Sequence, residues 1–169
     1  MPDTATAVTR EAAWLAQAGA GGLPSLLTAD GGPFEVVQPY YGRSPAMRKR
    51  AIYVMRSNLT ELRLGGLRKI DRYAFRLIVR WPSHSSTGRI ETDEADFDAA
   101  IDLLLQRIRG PIGDHTHGGA FLSVAEEANG ATISVDFAPA EQTLAGGAGN
   151  SPYLAATVRY SADDEQINS

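Results

Sequence analysis

The chain has 169 residues, of which 43% are apolar and 21% charged, enough length and hydrophobicity for one packed domain spanning 1–169. It has no cysteine, which excludes disulfides, thiolate metal sites and cysteine nucleophiles. The net charge of −4 conceals two opposed parts: residues 42–80 hold eleven Arg and Lys against Glu61 and Asp71, a local +9, and the remainder carries −13. Such a division attracts either nucleic acid or an acidic protein face.

The N-terminus, MPDTATAVTREAAW, lacks the basic start and apolar stretch of a secretory signal. No apolar run approaches eighteen residues, so the expectation is a product made in the cytoplasm, with no membrane partner. A first helix is expected from Thr4 or Asp3 as cap, with Ala7, Ala12, Trp14, Leu15 and Ala18 at helical spacing. AGAGGLP (18–24) ends it, and a loop closes on Asp30-Gly31-Gly32.

Three strands follow. PFEVVQPY (33–40) is short and bounded by prolines, as an edge strand is. AIYVM (51–55) comes after a basic loop. DRYAFRLIVRWP (71–82) alternates Tyr73, Phe75, Leu77, Val79 and Trp81 with Arg72, Ala74, Arg76, Ile78 and Arg80, a period-2 pattern that a helix cannot give. NLTELRLGGLRKI (57–69) is read as a long connection that extends this hairpin as an arm.

A second helix is expected from Thr92 as N-cap to Gly110-Pro111, with Asp93 and Glu94 in the first turn and Arg107 and Arg109 in the last. Its apolar stripe is Phe97, Ala100, Ile101, Leu104 and Ile108. FLSVAEE (121–127) and ATISVDF (131–137) read as a hairpin turning at Asn129-Gly130, with Ile133, Val135 and Phe137 facing the core. After a glycine-bearing loop, 138–151, comes the strand PYLAATVRY (152–160); the polar tail 161–169 is expected to fray. The order α-β-β-β-α-β-β-β predicts an α+β domain, a mostly antiparallel sheet with two helices.

Catalytic chemistry finds little to stand on. Asp114, His115 and His117 offer three metal donors without a closed set. His84-Ser85-Ser86-Thr87 places a base beside hydroxyls, but sequence neighbours rarely align as nucleophile and base. The glycine runs 19–24 and 144–150 lack the lysine and hydroxyl of a phosphate loop. Asp93, Glu94, Asp96, Asp98 and Asp102 fall mostly opposite the apolar stripe, as a solvated helix face does. No enzyme, cofactor or metal is therefore expected. Arg72, Arg76 and Arg80, all on one strand face, are the candidate interface together with Arg48, Lys49 and Arg50; arginine, fourteen to two over lysine, suits paired carboxylates and phosphates.

The capped helix, the arginine-alternating DRYAFRLIVRW, the helix ADFDAAIDLLLQRIRG and the closing V-R-Y strand follow an order that resembles the tail terminator proteins of long-tailed bacteriophages, over about residues 4–160. The resemblance implies a hexameric ring in the virion that caps the tail tube and meets the head-completion (stopper) proteins. It also implies the major tail tube protein as a partner and DNA passing through the lumen. It carries over no catalytic residue. Residues 57–69 and 138–151, longer than in compact members, are expected to be ordered mainly by contacts between subunits. Two other readings are a nucleic-acid-binding module using 42–80, whose affinity falls with salt, and a small-molecule or enzymatic domain with His115 and His117 at its site.

Overall fold

A computed structural model describes residues 3–19, 22–41, 49–83, 90–125, 132–139 and 152–167. Helix α1 spans Thr4–Ala16, and the Asp3 carboxylate caps it by accepting from Thr6 N at 2.7 Å. A 3₁₀ turn, Thr28–Asp30, then closes on Gly31, whose φ of 85° favours glycine. The strands are β1 (Val36–Pro39), β2 (Ala51–Arg63) and β3 (Arg68–Pro82), followed by helix α2 (Ile90–Arg109). After α2 come β4 (Ser123–Val124), β5 (Ser134–Phe137) and β6 (Tyr153–Ile167). This is the predicted α+β order with two helices. The sheet runs β1-β2-β3-β6-β4 with β5 also on β6, and only the β1–β2 pairing is parallel.

The alternation in β3 decides which face is covered. Tyr73, Phe75, Leu77, Val79 and Trp81 are all buried, and opposite them in β6 so are Leu154, Ala156, Val158, Tyr160 and Ala162. The α2 stripe Phe97, Ala100, Ile101, Leu104 and Ile108 joins the same core as Ala7, Val8, Ala12 and Leu15 of α1. Both helices therefore lie on one face of the sheet, and the Arg72–Arg76–Arg80 face is the other.

Four expectations are corrected. Helix α2 begins at Ile90, so Thr92 lies inside its first turn with Glu91 and Asp93, where acids meet the positive end of the helix dipole. Among the described residues, 121–125 and 132–137 do not pair with each other as the expected hairpin. Ser123–Val124 pairs with Asp163–Ala162 and Ser134–Phe137 with Arg159–Ala156, so both lie in line along one edge of β6; Asn129-Gly130 falls outside the described residues. Ile133 and Val135 pack on the core, but Phe137, at the sheet edge, is 53% exposed and meets Phe97 edge-on. Finally, 161–167 is no fraying tail: β6 continues through Ile167 in full register with β3.

The reason for this last correction is electrostatic. Asp163 receives two hydrogen bonds from Arg72, at 2.7 and 2.8 Å. On the helix side, Asp164 receives Arg10 at 2.6 Å, and Gln166 donates to Asp71 at 2.7 Å. Arg68 is paired with Glu165 as well. Acids that look solvated in sequence are the counter-charges of the basic strand beside them.

Two outcomes test this layering. Leu104→Ala, at a fully buried position, should lower unfolding free energy by about 2–5 kcal/mol in urea denaturation. Truncation after Ser161, harmless for a frayed tail, should lower the melting midpoint markedly because it strips Asp163 and Asp164 from Arg72 and Arg10.

Candidate interaction surface

Beyond the helix-covered layer, β2 and β3 continue together as an arm. Their register shifts between Arg56 and Asn58, where a β-bulge puts one extra residue in β2. Past it, Leu59 pairs with Tyr73, Thr60 with Arg72, Glu61 with Asp71, Leu62 with Ile70 and Arg63 with Lys69. Only residues 64–67 turn, with Leu64 N donating to Arg68 O at 3.0 Å. The segment 57–69 is thus mostly ladder, held by this chain's own hydrogen bonds, and needs no neighbouring subunit to order it. Residues 140–151 of the other long loop lie outside the described residues.

The arm exposes apolar side chains among its charged ones. Leu59, Leu62, Leu64 and Leu67 all face solvent, Leu62 at 55% and Leu67 at 67%. Thr60, Leu62, Ile70, Arg72, Leu122 and Ser123 line a cavity of about 430 Å³, with Asp163 among them. Strand β1 pairs with β2 only from Ala51 to Val54, so among the described residues the Met55–Arg63 edge has no strand beside it. Clustered exposed leucines and a bare strand edge are features of contact surfaces.

The predicted arginine face has a different character at each position. Arg72 is bound to Asp163. Arg80 is nearly buried: it donates to Tyr41 Oη at 2.9 Å and lies 4.2 Å over the Tyr153 ring. Tyr41 in turn packs edge-on against the buried Tyr53. Arg76 sits between Met55 and Arg159 in the ladder, and its Nε has no hydrogen-bond partner among the described residues. Lys49 is exposed, Arg50 meets Glu35 and stacks 5.1 Å over Trp81, and Arg48 is outside the described residues. Much of the local positive charge is answered within the chain, since Arg63 and Lys69 also share Glu61. These hydrogen bonds hold the Glu61 carboxyl below its ordinary pKa.

The histidine segment makes no metal centre. His117 is buried with both ring nitrogens engaged: Nδ1 lies 2.8 Å from Glu11 Oε2, and Nε2 2.7 Å from Ile108 O. No group of three or more His, Cys, Asp or Glu is placed to hold a metal ion among the described residues. Asp114 instead ties the turn together through Thr116 N at 2.8 Å. The stretch His84–Thr87 lies outside the described residues.

Sequence reasoning missed Glu11, a fully buried carboxylate whose other oxygen accepts the Tyr160 hydroxyl. It also missed Arg107, which is only 1% exposed. Arg107 Nη2 donates to Trp14 O at 2.8 Å and Gln17 O at 3.1 Å, filling the carbonyl end of α1. Burial lowers its pKa, against the raising effect of Glu11. Glu11 occupies a core position of the α1 stripe beside Ala7 and Leu15, and an acid there is the one local sign of a buried partner.

The arginine positions separate by substitution. Arg72→Met should cost about 1–2 kcal/mol in thermal unfolding, more than a fully exposed pair, because Asp163 is left nearly buried. Arg76→Met should leave the melting midpoint unchanged. Comparison of the sequence with the models of known protein families and with curated proteins finds no match.

Proposed function

We propose that this chain is a structural virion protein of the tail terminator kind, assembling as a closed ring of identical copies that caps a phage tail tube. The observation that carries the reading is the β2–β3 arm, with its four exposed leucines and an edge that has no strand beside it among the described residues. Such a surface supports a head-to-tail contact between copies, and a heterologous contact that closes gives a ring. The order of elements from Thr4 to Tyr160 supports it too, being the order on which the resemblance to tail terminators rests. On this reading the ring is held by the apolar arm and guided by the exposed cations. Charges at such contacts steer encounter and reject wrong partners, while the apolar residues beside them hold the complex. The tube protein would meet one side of the ring and the head-completion proteins the other, with DNA passing through the lumen.

The nucleic-acid reading has less support. Arg63, Arg68, Lys69 and Arg72 already have carboxylate partners, which would have to be displaced before a phosphate could bind.

The test uses purified protein and infected-cell tails. Wild-type chain should run as a multimer in light scattering, and Leu64→Ser with Leu67→Ser should reduce it to monomer without lowering the melting midpoint. Arg76→Glu, facing Arg159 across the ladder on the side away from the helices, should weaken assembly at least tenfold while the fold persists. Tails made with either variant should lose their uniform length in electron micrographs. A wild-type monomer that binds DNA in a salt-dependent way would sink the ring.

A further inference from the structure

The segment from Gly110 to Ala125 leaves the carbonyl end of α2 and crosses to the edge of β6. It carries its own turn, in which Asp114 Oδ1 accepts from Thr116 N and Gly119 N donates to Thr116 Oγ1 at 2.8 Å. Its far end joins the sheet through Leu122 N to Asp163 O at 2.8 Å and Ala125 N to Ser161 O at 2.9 Å. Between these ends Ala120 O accepts from Arg10 and Phe121 is buried against Phe75, and one residue ties the segment to both helices at once. His117 adopts a φ of 52°, stacks on Trp14 with ring centroids 5.0 Å apart, and reaches both helices through Glu11 and Ile108 O. Gly118 then passes so close to Trp14 that a Cβ there would lie 3.3 Å from the indole.

The partners of His117 dictate its protonation. Ile108 O is an acceptor only, and the Glu11 carboxylate is an acceptor already holding the Tyr160 hydroxyl, so each ring nitrogen must donate. The ring is therefore an imidazolium, placed where the negative end of the α2 dipole favours a cation. Burial opposes the charge, but Glu11 and the two hydrogen bonds outweigh it and raise the His117 pKa above 6.5. Arg107 of α2 repels it, and Asp114 on the segment itself attracts it. Tyr160 of β6 stays neutral, its pKa pushed well above 10 by burial and Glu11. Arg10 of α1 and Asp164 of β6 are paired with each other.

We propose that residues 110–125 form a pH-gated strap: protonated His117 holds it closed across α1 and α2, and loss of that proton releases it and bares the β6 edge at Ser161–Asp163. Deprotonation leaves one ring nitrogen as an acceptor facing another acceptor, and leaves Glu11 buried without its counter-charge. The rest of the sheet has no share in that bond, since β3 and β6 are joined by their own fifteen-residue ladder. A group whose folded pKa is raised stabilises fully below its unfolded value and loses that contribution as pH rises through the folded one. The strap is therefore closed in acid and opens as pH rises through the raised His117 pKa.

Amide hydrogen exchange from pH 6 to 9.5, corrected for intrinsic rates, tests this alongside NMR of the His117 ring. Protection of the Leu122 and Ala125 amides should fall about tenfold per pH unit from near 6.5 until His117 has titrated, then level off. The β3–β6 ladder should stay protected when the strap no longer is. Glu11→Gln keeps the shape and removes the charge, so it should move both the titration and the loss of protection to lower pH. His117→Gln, if it folds, should leave the strap open at every pH. Strap protection that is flat through the His117 titration would overturn the proposal, as would a His117 that never titrates in this range, or a strap that opens only together with the ladder.

Discussion

The fifteen-residue antiparallel ladder between β3 and β6 is the constraint from which the rest of the molecule follows. Its two inner faces supply the apolar floor on which α1 and α2 lie. Its outer strands are positioned by it: β2 hangs on β3, and β4 and β5 take the free side of β6. Because β3 is contiguous with the arm and β6 with the acidic end, the same ladder also sets basic residues opposite acidic ones. Arg72 meets Asp163 and Arg68 meets Glu165 because strand pairing brings together residues some ninety positions apart.

That pairing explains which parts of the fold could be read from the sequence. Alternation in 71–82 is local and strong, and the stripe Phe97–Ile108 is local and helical, so both were legible, as was the order of elements. The acids of 161–167 were not, because their partners lie in another strand and local composition describes only a polar run. The stretch 57–63 was legible as an arm extending the hairpin but not as strand, for another reason. The bulge shifts the inner side of β2 from even positions, Ile52 and Val54, to odd ones, Leu59 among them, so no single alternation runs through the strand. The supposed hairpin at 121–137 failed because β6 is long enough to pair with both segments at once, which turn chemistry alone does not reveal.

Of the candidate surface, the sequence identified the face but not the state of its residues. Arg72, Arg76 and Arg80 do share one side of β3, yet one is ion-paired, one lies against tyrosines and one has an Nε without a partner among the described residues. The exposed leucines of the arm carried no period that marked them as surface. Glu11, His117 and Arg107 were hidden because their significance depends on two helix ends meeting, which happens only in the packed molecule.

The bulge between Arg56 and Asn58 has a consequence for how this chain can change over generations. It marks the boundary between a part of β2 clamped under the helices and a part that touches the core little. Deleting the extra residue there would give β2 one continuous alternation while leaving Leu59 opposite Tyr73 and Glu61 opposite Asp71, so the arm would keep its two faces and lose only the local bend and added twist of the bulge. A single codon lost at this point would re-aim the arm without exchanging its faces or repacking the interior. The direction in which the arm points could then change on a scaffold that stays fixed.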